Sequence, residues 1–132
     1  MRLALAALAL AAASAAFAET PASLQAAFAV DAKRENAAFT TFSADRGRTF
    51  FAATHGKEWS CSSCHTANPA ATGTHASTGK SIAPLAPAAN PTRFTDAAKV
   101  DKWFRRNCTD VAGRACTAQE KGDILAWLLA NR

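Results

Sequence analysis

Apart from Met1, this chain of 132 residues contains no methionine. Any metal site in a protein that has lost its first residues must therefore do without a thioether ligand of that kind. Period-two alternation of apolar and polar residues is also missing, so no segment reads as a half-buried strand. No apolar run is long enough to span a bilayer, since the longest, Leu3 to Ala18, is short and rich in alanine. Acidic residues are in deficit, 10 against 15 Lys and Arg, and there are four cysteines.

The N-terminal run has another use. Arg2 supplies a positive start, Leu3 to Leu10 an apolar stretch, and Ala16-Phe17-Ala18 an A-x-A site before Glu19. Together they predict a secretory signal peptide, residues 1–18, cut after Ala18. The mature chain, residues 19–132, is expected to be one small domain in the periplasm. It would be a monomer with no membrane anchor, and no cysteine near the cut invites a lipid. Loss of Arg2 leaves 14 basic against 10 acidic residues, a net charge of +4. Nucleic acid is not an expected partner of an exported chain. A basic surface of this size serves solubility or steers an acidic redox partner.

Cys61-Ser62-Ser63-Cys64-His65 carries the chemistry. A C-x-x-C-H run marks covalent attachment of a c-type haem. Two thiols on one turn can add to the two vinyl groups of a porphyrin, and the histidine that follows reaches the iron as proximal ligand. The alternatives are a redox CxxC and half of a zinc site. Thiol exchange is disfavoured because no βαβ setting surrounds the motif, and a four-cysteine zinc site leaves His65 without a role. Export then explains the other two cysteines. Cys108 and Cys116, eight positions apart, are expected to close a disulfide in an oxidising compartment.

The rest reads as an all-α protein. Helices are expected from Ala22 to about Asn36 and from Ala44 to Thr54 behind an Ser43 cap. A third runs from Asp96 to about Asn107 behind Thr95, and a fourth opens on the capping box Thr117/Glu120. Between Thr66 and Thr92 lies a long loop rich in Pro, Gly, Ala, Ser and Thr, suited to wrapping the haem edge. Gly47 and Phe51 share a face of the second helix, and Gly122 and Trp127 are candidates for the facing surface. A Gly-x-x-x-Phe helix, CxxCH and a C-terminal aromatic helix resemble the class I cytochrome c pattern.

Without a mature methionine, His/Met ligation is excluded. The remaining donors for a sixth position are His55, His75, a lysine, an asparagine, or none. Val100, Trp103, Phe104 and Asn107 fall at i, i+3, i+4 and i+7, an apolar stripe that could cover a haem face. Asn107 ends that stripe, either as a ligand or simply as a helix C-cap. His55 and His75 read more simply as surface residues.

Thr78 to Pro87, Pro91 to Asp96, Val100 to Trp103 and Arg106-Asn107-Cys108 resemble the sphaeroides haem protein family, oxygen-binding monohaem cytochromes c. The resemblance spans nearly the whole mature chain. It implies one covalent haem c on Cys61 and Cys64, with His65 proximal. It also implies Asn107 as distal ligand of the oxidised iron, beside the Cys108–Cys116 disulfide, leaving on reduction. The related cytochromes c double-prime carry histidine in place of Asn107. Pro84, Leu85, Phe94, Val100, Trp103 and Phe104 are the expected haem-packing residues. Pro84 is further expected to offer its carbonyl to the His65 ring. An amide oxygen is a hard, weak donor that suits ferric better than ferrous iron. The expected function is therefore a periplasmic cytochrome that binds a diatomic gas when reduced, fed by an electron-donating cytochrome. A plain electron carrier, six-coordinate in both redox states, is the alternative. No proton-relay cluster is evident, which favours either over an enzyme.

Overall fold

The computed structural model describes residues 19–132; the expected signal peptide, residues 1–18, lies outside them. The described chain folds as five helices and one two-residue hairpin ladder. In order these are α1 (Pro21–Glu35), α2 (Ala44–Ala52), α3 (Cys61–His65), β1 (Gly73–Thr74), β2 (Ser81–Ile82), α4 (Ala97–Ala112) and α5 (Ala118–Ala130). None of the described helices is long and apolar enough to cross a membrane.

Local chemistry explains most boundaries. The Thr20 side chain accepts from Ser23 N–H, Ser23 reciprocates, and Pro21 opens α1, where a missing N–H costs nothing. Ser43 caps α2 as expected by accepting from Arg46 N–H. Thr117 and Glu120 close the expected box on α5. The Ala118 N–H, one of the unpaired donors of that first turn, is taken by Glu35 Oε2 at 2.9 Å, which ties the end of α1 to the start of α5.

Two expectations for α4 need correction. Its cap is Asp96, whose Oδ1 accepts from Lys99 N–H at 3.0 Å. The Thr95 hydroxyl is spent on the preceding turn, donating to Thr92 O at 2.9 Å. The helix also does not stop at Asn107. Cys108 and Val111 continue its buried stripe, and nothing breaks the helix until Gly113, left-handed at φ 70°, whose N–H bonds Thr109 O. Asn107 thus stands inside a helix and is not its cap.

α5 is the central element, burying Gly122, Asp123, Ile124, Leu125, Trp127 and Leu128. α1 and α2 both pack closely along it. At the α2–α5 crossing a Cβ on Gly47 would meet Asp123 O at 2.0 Å and Ile124 N at 2.8 Å. Only glycine permits that approach. Gly122, expected to help form the crossing, instead lies under the Phe42 ring, 2.1 Å from where its Cβ would be. Asp123 is buried and charged, and it is fully employed. Its Oδ1 accepts from Ser43 N–H at 2.7 Å, and both its oxygens pair with the Arg46 guanidinium at 2.8 and 2.9 Å. α4 makes no comparably extensive backbone approach to any other element. It reaches the core through Val100 and Phe104, which pack with Leu24, Phe28 and Leu125. A disulfide from Cys108 to Cys116, Cα atoms 5.6 Å apart, anchors its far end.

Gly47→Ala forces two helix backbones apart, so it should cost about 3 kcal/mol, the upper end for overpacking, in denaturant unfolding followed by circular dichroism. Cys116→Ser should cost about 2–3 kcal/mol on the chain-entropy account of so short a loop, and peptide mass mapping of the non-reduced wild type should find the two cysteines linked.

Candidate functional site

α3 is a single turn, and its geometry is set by serines. Ser60, buried, caps it by accepting from Ser63 N–H, while the Ser63 hydroxyl accepts from Ser60 N–H. This reciprocal pair was not anticipated, because serine rather than glutamate fills the third position. The turn leaves Cys61 and Cys64 as free thiols, both partly buried. His65 ends the turn. Thr66 behind it adopts φ 63° and ψ 168°, a region ordinarily left to glycine. The Thr66 hydroxyl donates to Asn68 O at 2.7 Å and accepts from Asn68 N–H at 3.1 Å, which holds the strained residue in place.

Burial sets the protonation of the motif. The Cys61 thiol is pushed up to about 11, chiefly by desolvation of its charged form. Cys61 is therefore a thiol at neutral pH, unlike the low-pKa thiolate of a disulfide exchanger. The His65 imidazole is lowered to about 4, first by desolvation and then by the positive charge of Arg93. At neutral pH the ring is uncharged and keeps a nitrogen lone pair for a metal.

The 66–92 segment is better ordered than its composition suggested. β1 and β2 pair antiparallel, Gly73 opposite Ile82 and Thr74 opposite Ser81. Two-residue strands leave no period for a sequence to show. The hairpin presses on α3: a Cβ on Gly73 would sit 2.1 Å from Cys64 O, and Ala76 N–H points at Cys64 Sγ, 3.3 Å away. Pro69 is fully buried, and its carbonyl accepts from Leu85 and Ala86 N–H. The Pro84 carbonyl does not receive the His65 ring as expected. It accepts instead from Asn90 Nδ2 at 3.2 Å and Arg93 Nε at 3.0 Å.

The expected haem-packing residues largely converge. Cys61, Leu85, Phe94 and Phe104 pack against the cluster of Phe51, Ile124, Trp127 and Leu128. Phe94 and Phe104 also join Val100, Leu24 and Leu125. Phe94 does so from a left-handed backbone, φ 59°, uncommon for a bulky residue. Phe51 lies between Trp127 and His65, with ring centroids at 4.7 and 6.1 Å. Pro84 is half-buried at the edge. Trp103 stands outside these clusters, 49% exposed, with the Arg106 guanidinium 5.2 Å and the Lys102 ammonium 6.0 Å from its ring. Asn107 is half-buried on α4, and among the described residues its side-chain amide has no hydrogen-bond partner.

The other histidines are engaged elsewhere. His55 bonds Phe50 O through Nε2 at 2.8 Å and stacks on the Phe50 ring at 4.0 Å. His75 is exposed in the hairpin turn, its Nδ1 facing Thr78 N–H at 3.3 Å. Among the described residues no three His, Cys, Asp or Glu side chains gather as a metal cluster, and Cys108 and Cys116 are already bonded to each other. A zinc site would thus lack ligands. Two unlinked thiols on one turn, a neutral histidine and a wall of Leu85, Phe94 and Phe104 fit a covalently held haem.

Comparisons with known proteins agree. The family described as Domain of unknown function (DUF1924) matches residues 37–128. Cytochrome c-type protein SHP of Cereibacter sphaeroides is 52% identical over 101 residues, covering 74% of this chain and 78% of that protein. Cytochrome c'' of Methylophilus methylotrophus is 49% identical over 76 residues, 58% of this chain and 53% of that one. Among solved structures, oxidised SHP, described as an oxygen binding cytochrome c, superimposes with a TM-score of 0.76. It shows 46% identity over 86% of this chain and 98% of its own. Oxidised cytochrome c'' gives 0.75 at 38% identity, covering 85% and 94%.

Wild-type protein matured in an exporting host should keep its haem through extraction with acidified organic solvent. Replacing both Cys61 and Cys64 by serine should release all of it, and His65→Ala should give little stable holoprotein. Extractable haem in the wild type would reject thioether attachment.

Proposed function

The chain belongs to the cytochrome c family of SHP and cytochrome c'', whose members carry covalent haem c, and from that membership we propose that it binds a diatomic gas when reduced. The haem, when bound, supplies an iron that changes oxidation state and takes a small neutral ligand such as O₂ or NO as ferrous iron. Cys61 and Cys64 would hold it by thioether bonds, and His65 would offer its neutral imidazole to the iron. Asn107 would offer its amide oxygen to the oxidised iron, a hard donor that suits the ferric better than the ferrous state. Leu85, Phe94, Val100 and Phe104 exclude water around the site.

One observation carries this reading. Asn107 stands within α4, half-buried, with an amide free of partners among the described residues, one position before the disulfide-anchored Cys108. His55 and His75, the competing donors, each have one ring nitrogen engaged, Nε2 of His55 with Phe50 O and Nδ1 of His75 with Thr78 N–H. The protein acts in the periplasm after loss of residues 1–18, as a single-domain monomer, and an electron-donating cytochrome reduces it. Its basic excess favours an acidic partner.

Visible spectra of both oxidation states, with and without CO, test the proposal. The reduced wild type should be high-spin and bind CO. Asn107→Ala should alter the ferric spectrum and leave ferrous CO binding intact. Asn107→His should weaken CO binding at least about tenfold, the loss that only ~1.4 kcal/mol of competing ligation produces. A reduced wild type that is low-spin and indifferent to CO would sink the gas-binding role and leave an electron carrier.

A further inference from the structure

The amides of the turn between β1 and β2 mostly bond within it. His75 N–H donates to Lys80 O at 2.8 Å and Gly79 N–H to His75 O at 2.9 Å. Thr78 N–H faces His75 Nδ1 at 3.3 Å, and Lys80 N–H reaches Thr78 Oγ1 at 3.5 Å. Ala76 is the exception. Its N–H leaves the hairpin and donates to Cys64 Sγ, 12 positions earlier, at 3.3 Å. Sulfur is a weak acceptor, and Ala76 lies in an exposed turn where water competes for its amide, so the approach has to be enforced. Gly73 enforces it: a Cβ there would sit 2.1 Å from Cys64 O and 3.1 Å from His65 Cα. The ladder, Gly73 opposite Ile82 and Thr74 opposite Ser81, then carries the turn back over the cysteine. Among the described residues no other residue donates to Cys61 Sγ, so the two sulfurs of the motif differ.

We propose that the 73–82 hairpin is a hydrogen-bond donor to the covalent linkage, with Ala76 N–H holding the Cys64 sulfur and Gly73 setting its approach. The Cys64 sulfur is a thiol here; after attachment the same atom is a thioether sulfur and still accepts through a lone pair. The inference rests on haem attachment at Cys64 and is independent of gas binding. The Cys64 side chain has a choice of staggered wells about Cα–Cβ, and the N–H selects one. It thereby fixes the arm from which the macrocycle hangs beside His65, where the hairpin and α3 backbones already touch. Outer hydrogen bonds of this kind orient the groups that hold a metal centre and tune its electronics. Ala76 and Gly73 are positioning residues. Their role needs a backbone N–H at one and no side chain at the other.

The test is resonance Raman spectroscopy of the holoprotein in H₂O and in D₂O. Resonance with the haem selects the two thioethers over the disulfide, and ³⁴S labelling identifies their carbon–sulfur stretches. One stretch should shift when amide hydrogens exchange for deuterium and the other should not, because only Cys64 has an N–H donor. Ala76→Pro, which removes the N–H, and Gly73→Ala, which pushes the hairpin off α3, should each abolish the shift. Ala76→Ser, which keeps the N–H, should retain it. Should the first two variants fail to mature, the wild-type comparison of solvents decides alone. A hairpin that merely braces α3 would leave both stretches indifferent to deuterium in the wild type, and that result would overturn the proposal. Absence of any label-sensitive thioether band would instead refute the attachment on which the inference rests, and the CO spectra would report separately on Asn107.

Discussion

The crossing of α2 over α5 governs the rest of the molecule. A hydrogen atom at Gly47 lets two helix backbones touch, and the buried Asp123 carboxylate locks the register by gripping Ser43 N–H and Arg46 together. The Arg46 side chain is half exposed, so solvent screens the Coulomb attraction and the pair serves geometry more than stability. Once the register is set, Phe51 must face Trp127, and His65 packs on the far side of Phe51. The CxxCH turn is thus held in place by a glycine on another helix.

The two sides of the site are built differently. His65 stands on the side where α2, α3, α5 and the hairpin meet backbone to backbone. Asn107 stands on α4, which is held by interleaved side chains and one disulfide beyond it. Side-chain packing without close backbone contact yields at lower free energy than a glycine-tight crossing does. Under the proposed ligand exchange, His65 would be the fixed donor and Asn107 the donor carried by the more adjustable element.

Legibility in the sequence followed locality. The Ser43 cap, the Thr117–Glu120 box and CxxCH were readable because each is decided within a few residues. Thr95 and Asp96 are both good caps and sit side by side, so only the three-dimensional turn, which spends the Thr95 hydroxyl on Thr92 O, separates them. Asn107 looked like a helix end because asparagine is at home there, whereas the true signal was Gly113 a turn and a half later. Gly73 and Gly122 owe their identity to Cys64 O and the Phe42 ring, contacts that no local pattern encodes. Arg93 was missed because a charge in a polar loop reads as solvated surface. What marked it was half-burial with two carbonyl partners and no acid.

The electrostatics of the site have a consequence for assembly. Cys61 and His65 are both neutral at physiological pH, and Arg93 is charged, so the polypeptide alone presents a net positive, largely apolar surface. Such a surface is costly by itself, because a partly desolvated cation loses hydration that no protein carboxylate returns. A cofactor that binds only the folded chain stabilises it by mass action. Covalent attachment makes that gain permanent. Phe94 and Phe104 pack against both hydrophobic clusters that α5 completes, so α4 is tied to the core through the same side chains that wall the site.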